Sequence, residues 1–190
     1  MISSILLAAG QSKRMKGENK LIKQMKGIPL IQHSVKNILL SPIDELIIIL
    51  GYQKEIVKKI IDKNKKIKFV YNNDFESGMA SSIITGLKQL SENTESFFIC
   101  LGDMPLVNSN IYNQLINSKN KKDIIVPNYM NQQGNPVLFN KSMKEKIMSI
   151  KGDVGAKKII ESNRDQVLNI TINDESVIRN YNTPENFINI

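Results

Sequence analysis

Histidine and cysteine are almost missing from this chain: one of each in 190 residues, His33 and Cys100. A lone cysteine excludes an intrachain disulfide framework and a zinc site built from cysteines. A lone histidine argues against a histidine-rich metal centre and against a Ser-His-Asp triad. Tryptophan is absent and aromatics make up 6%, too few for the stacking platforms that read nucleic-acid bases. Arginine is scarce as well, with Arg14, Arg164 and Arg179 the only ones among 26 basic residues. No apolar run approaches the ~20 residues of a membrane span. Ser3 and Ser4 lead straight into Ile5, Leu6 and Leu7, without the basic segment and longer apolar stretch of a secretory signal. These absences point to a cytoplasmic protein with neither a membrane nor a nucleic acid as partner.

What is present fits a globular chain: 41% hydrophobic and 23% charged residues, enough to bury a core in one domain spanning 1–190. The net charge is +8. Much of it sits in runs such as Lys63-Asn64-Lys65-Lys66 and Lys119-Asn120-Lys121-Lys122. Two readings stay open: attraction to a polyanion or a phosphorylated small molecule, or a solvated surface in a composition rich in Lys, Asn and Ile.

Short apolar runs alternate with amphipathic stretches along the chain. Residues 3–8, 45–50, 68–71, 97–101, 124–126, 137–139 and 167–172 read as strands, most of them with the unbroken hydrophobicity of strands buried on both faces. Pro127 is expected to stop the fifth of these. Helices are expected from Pro29 through Leu39, over 54–63, 81–90, 111–117, 141–148 and 154–162, with a short one starting at Thr183. Alternation of this kind implies an α/β fold: a Rossmann-like, mostly parallel sheet with helices on both faces.

In such sheets ligands bind beyond the carboxyl ends of the strands, which selects three segments. The first runs from Leu7, Ala8, Ala9, Gly10, Gln11 and Ser12 to Arg14 and Lys20. Its small residues let backbone N–H groups approach an anion, and its two cations can neutralise one. It is neither a Walker A loop nor a G-x-G-x-x-G turn. The second, Gly78-Met79-Ala80-Ser81-Ser82, opens a helix, where free N–H groups could hold an anion or a serine could simply cap. The third, Leu101-Gly102-Asp103-Met104-Pro105, puts a carboxylate at the sheet edge. Asp103 either holds a hard cation against phosphate oxygens or caps the turn at Pro105. Cys100 reads as a core residue, His33 as a satisfied helical histidine, and Met143 and Met148 as helix packing.

Taken in order, these segments resemble the nucleotidyltransferases of the molybdenum-cofactor type, and most nearly the molybdenum cofactor cytidylyltransferases. The first loop is similar to that family's L-A-A-G-x-S-x-R-M…K-L, through Leu7 to Gly10, Ser12, Arg14, Met15, Lys20 and Leu21. Gly78 to Ser82 resembles G-M-x-x-S, with Asn72 upstream, and Leu101 to Pro105 matches L-G-D-M-P. Gly134 to Phe139, Gly152-Asp153-Val154-Gly155-Ala156 and Asn182-Thr183-Pro184-Glu185 are similar to later motifs. The likeness spans essentially the whole chain. It implies a nucleotide-diphospho-sugar transferase-like fold. The implied reaction transfers CMP from CTP to the terminal phosphate of molybdopterin-type cofactor, releasing pyrophosphate. The product would pass to a molybdoenzyme.

By the same resemblance Arg14, Lys20 and Asp103 are the catalytic residues, with Asp103 and Asn182 holding Mg²⁺. Leu7 to Ser12, Arg14, Lys20, Asn72, Gly78, Met79, Ser81, Ser82 and Asp103 would bind the nucleotide, with Asn72 and the 78–82 segment near base and ribose. Ala8-Ala9 stands where guanylyl-transferring relatives usually carry Gly-Gly, which favours CTP. Four departures mark the chain: Lys16 for the usual glycine, Asn135 for histidine, and Asn180 and Asn182 for paired aspartates. The competing readings are a GTP-using enzyme, a sugar- or isoprenoid-phosphate nucleotidyltransferase, and a non-catalytic chaperone for the pterin.

Overall fold

The computed structural model describes residues 1–15 and 17–187. In chain order the elements are β1 (Ile2–Ala8), β2 (Gln24–Met25), β3 (Ile28–Pro29), α1 (Leu30–Leu39), β4 (Glu45–Leu50), α2 (Lys54–Lys59), β5 (Ile67–Tyr71) and α3 (Met79–Leu87). They continue with β6 (Ser96–Leu101), α4 (Ser109–Ile116), β7 (Ile124–Tyr129), β8 (Gln132–Gln133), β9 (Val137–Asn140), α5 (Lys144–Met148), α6 (Lys157–Ser162) and β10 (Val167–Thr171).

The main sheet runs β10-β7-β9-β6-β1-β4-β5, with β8 paired to β7. β1 pairs in parallel with both β4 and β6, and β4 with β5. Period-2 alternation then sends neighbouring side chains to opposite faces. Leu6, Ile48 and Phe98 join α1, α2 and α4 through Val35, Val57 and Leu115. Ile5, Ile47 and Phe97 join α3, α5 and α6 through Ile83, Ile147 and Ile160. The expected layered α/β architecture is therefore present, with helices on both faces. Helix α3 lies close against β1: a Cβ on Gly86 would sit 2.4 Å from Ile5 Cγ2. Among the described residues no helix is long and apolar enough to cross a membrane.

Three features differ from the sequence expectations. β9 is antiparallel to both β6 and β7, so the sheet is mixed. Pro127 lies inside β7 and does not end it. Its carbonyl accepts from Gly134 N on the side where β8 takes over from β9, and pairing with β10 continues through Ile170 and Thr171, so the missing N–H removes only the reciprocal bond to Gly134. The loop after β1 also carries the small β2–β3 hairpin, and Pro29 belongs to it as the residue before α1. His33 is held there, donating from Nε2 to the Met25 carbonyl at 2.8 Å.

Candidate active site

A cleft of about 570 Å³ opens at the carboxyl ends of β1 and β6. Its floor is the loop after β1. Leu7 O accepts from Gly102 N, and Ala9 O accepts from Tyr52 N, so carbonyls on the loop turn toward neighbouring strands. The N–H groups of Gly10, Gln11 and Ser12 find no acceptor among the described residues. A Cβ on Gly10 would meet nothing within 4 Å. Unpaired N–H groups on a loop that lines an open cleft are what an anion requires of a backbone.

The loop is pinned by its ends. Met15, 1% exposed, anchors a 3₁₀ turn, its N–H bonded to Ser12 O. Ser12 Oγ accepts from Lys20 N at 3.2 Å, and Leu21 next to it is buried. Lys20 is thereby aimed across the cleft, where Nζ donates to Asp103 Oδ2 and to Asn182 Oδ1, each at 2.6 Å. Asp103 arrives from the end of β6. Asn182 comes from the segment after β10, which is tied down by Tyr181. That side chain packs on Met25 and Leu30, and Tyr181 N donates to Asp103 O at 2.9 Å. Arg14 and Lys13 also line the cleft, exposed and without an acidic partner among the described residues.

On the opposite wall, Gly78 and Met79 meet the turn at Gly152-Asp153. Met79 N donates to Asp153 Oδ1 at 3.1 Å, and Ala80 N to Gly152 O at 3.2 Å. The expectation of free N–H groups at the start of α3 is corrected by this contact: the 152–153 turn already uses them. Glu76 lines the same wall and accepts from Gln11 Nε2 at 2.7 Å, linking the two loops across the cleft.

Leu7 to Ser12, Arg14, Lys20, Gly78, Met79, Ser82, Asp103 and Asn182 thus share one cleft. Asn72 and Ser81 lie outside it. Asn72 is buried, its Nδ2 donating to Ser81 Oγ and Ser82 Oγ and its Oδ1 accepting from Asp74 N. It fixes the entry to α3 from behind. Asn180 lines the cleft and Asn135 does not; Lys16 lies outside the described residues. Sequence reasoning assigns no role to Lys13, Glu76 or Asp153. Only Asp153 carries a signal, as part of the 152–156 motif. Cys100, three residues before Asp103, is inert: burial pushes its thiol up to about 12, against a weaker opposing contact with Tyr112.

The oxygens of Asp103 and Asn182 converge on one cation-sized point, the position of Lys20 Nζ. They are hard donors and only two of them, and among the described residues no cluster of three His, Cys, Asp or Glu exists. Such a set fits Mg²⁺ or Mn²⁺, which keep waters and phosphate oxygens for their remaining positions.

The family described as "MobA-like NTP transferase domain" matches residues 4–167. The chain belongs to that family. It is 30% identical over 131 residues to a protein named "Probable molybdenum cofactor guanylyltransferase" from Methanosarcina acetivorans, covering 67% of this chain and 57% of that one. The chain spans less than two thirds of the length of such curated relatives. Among solved structures, Rv0371c from Mycobacterium tuberculosis superposes with a TM-score of 0.86 at 20% identity, over 98% of this chain and 94% of that one. A manganese complex of Rv0371c superposes at 0.76, with 20% identity and 90% and 88% coverage. The 4-diphosphocytidyl-2C-methyl-D-erythritol synthase of Anaerococcus prevotii gives 0.81 at 20% identity, over 98% and 92%. The structural likenesses extend over nearly the whole α/β fold.

Proposed function

We propose that residues 1–190 act as one domain that transfers CMP from CTP to the terminal phosphate of molybdopterin-type cofactor, releasing pyrophosphate. The observation that carries this is the meeting of Lys20, Asp103 and Asn182 beside the unpaired N–H groups of Gly10 to Ser12. The loop N–H groups would hold the triphosphate, with Arg14 and Lys20 neutralising its outer charges. Asp103 and Asn182 would hold Mg²⁺, which when bound screens the phosphate charge and polarises its oxygens. The acceptor phosphate is ionised at neutral pH, so no general base is needed. In-line positioning and charge neutralisation supply the rate, which suits a cleft without histidine or a reactive thiol.

The Ala8-Ala9 pair supports CTP. The pair stands where guanylyl-transferring relatives usually carry Gly-Gly, and both residues are buried, at 2% and 3% exposure. GTP is the second reading, favoured by the named guanylyltransferase relative from Methanosarcina acetivorans. Pyrophosphate release measured with CTP, GTP and ATP, with and without the pterin acceptor, tests both. The expected result is acceptor-dependent release with CTP at least tenfold faster than with GTP. Faster release with GTP would reverse the donor, release only with a sugar or isoprenoid phosphate would replace the acceptor, and tight pterin binding without turnover would favour a chaperone.

A further inference from the structure

The oxygens suited to a divalent cation already hold a cation of the chain's own. Lys20 Nζ donates to both Asp103 Oδ2 and Asn182 Oδ1 at 2.6 Å. The two partners lie 83 and 162 residues along the chain from Lys20, so no local turn forces the meeting. The lysine side chain is 18% exposed and that of Asp103 is 11% exposed, which leaves little water around the pair. One N–H of the ammonium is left over for another acceptor.

We infer that Lys20 is a placeholder for the metal: without nucleotide its ammonium fills the cation position between Asp103 and Asn182. A divalent cation enters only when a triphosphate draws that ammonium away. The inference rests on the reading of the cleft as a nucleoside triphosphate site. Two physical reasons carry it. A Mg²⁺ ion bonded to both oxygens at about 2.1 Å would stand where Nζ now stands, so the two cations exclude each other by contact. Charge gives the second reason. Asp103 offers one negative charge, which Lys20 already cancels, and a divalent ion added beside them would be uncompensated in a poorly hydrated pocket. A triphosphate reverses that sign. It also gives the ammonium, at the end of a flexible four-carbon stem, phosphate oxygens to move to. Arg14 and Lys13, which have no carboxylate partner among the described residues, meet the incoming anion first. Nucleotide therefore creates the metal site, and free metal does not preload it.

The test is Mn²⁺ binding to the nucleotide-free full chain, read by the electron paramagnetic resonance signal of free Mn²⁺. Lys20→Met and Lys20→Gln are each expected to bind one Mn²⁺ at least tenfold more tightly than the wild type. Adding Asp103→Asn to Lys20→Met should abolish the gain. Equal affinities in wild type and both folded variants would overturn the inference. A second measurement needs no variant. The Nζ–H resonance of Lys20 in ¹⁵N-lysine-labelled protein should persist on adding Mg²⁺ alone and shift on adding CTP with Mg²⁺. A shift with Mg²⁺ alone refutes the displacement. Should Mn²⁺ binding rise in the variants while the wild type transfers no nucleotide to any acceptor, the transferase reading falls and the competition stands. Transfer by the wild type together with unchanged Mn²⁺ affinity in the variants keeps the transferase and removes the competition.

Discussion

Gly78 and Asp153 are in backbone contact across the cleft wall, with Cα and N of Asp153 each 2.6 Å from where a Cβ on Gly78 would sit. Gly78 also has φ +112 and ψ 179, a region that is costly for any residue with a side chain. The loop before α3 and the 152–156 turn therefore behave as one unit, although 74 residues separate Met79 from its partner Asp153.

Gly78→Ala is expected to force that unit apart. The backbone strain alone costs of order 1–3 kcal/mol, and the backbone clash adds to it. Chemical denaturation should show lower stability, and the KM for the nucleotide should rise by more than kcat falls. Unchanged stability in urea would mean that the turn can move aside freely, and that the two segments are not coupled.

Asp103→Asn keeps the shape of the side chain and removes its charge. The backbone carbonyl that accepts from Tyr181 N is untouched, and the amide oxygen can still accept from Lys20. Stability should fall by no more than about 2 kcal/mol, since Lys20 can turn to water at the cleft mouth. Nucleotidyl transfer should drop by roughly 10²–10³, the scale for loss of one electrostatic contact to a developing charge. A circular-dichroism melt showing an unfolded variant would make Asp103 a structural residue first.

Cys100 gives the fold a pH dependence on the alkaline side. Its thiol is pushed up to about 12 by burial, whereas in the unfolded chain it ionises near 8.5. A raised folded value means that the stabilisation is complete below the unfolded value and is lost as pH climbs from there toward 12. Between pH 7.5 and 9.5 the loss should reach about 1 kcal/mol, measured as a falling midpoint in urea. Tyr112, also pushed up by burial, extends the fall above its own ordinary value. Cys100→Ala should flatten the 7.5–9.5 stretch; an undiminished slope there would assign it to other groups.

The layered architecture is legible in the sequence because strands buried on both faces leave a signature that few other elements share. Leu46 to Leu50 is such a run, and the amphipathic stretch of α1 beside it repeats every three to four residues. Direction is not legible: Val137-Leu138-Phe139 reads as buried whichever way it runs, and only its partners make β9 antiparallel. Pro127 reads as a strand stop because residue type shows a missing donor but not the pairing with β10 that carries the strand past it. At the cleft, Arg14, Lys20 and Asp103 stand out as charges next to apolar strands. Asn72 reads as a ligand contact near the base; the structure bonds it to Ser81, Ser82 and Asp74 and sets it in a second hollow beside Phe75, a residue that also lines the cleft. Glu76 has no signal at all, since an exposed glutamate acquires meaning only through Gln11.

Sequence alone determined the alternation of strands and helices and placed small, charged residues at the strands' carboxyl ends, because local propensity and hydrophobic period are written in consecutive residues. Tertiary structure alone decided that Lys20 lies between Asp103 and Asn182, and that Asp153 closes the start of α3. Those pairs are distant along the chain, and only the order of strands in the sheet and the segment after β10 packed over its edge bring them within hydrogen-bond reach.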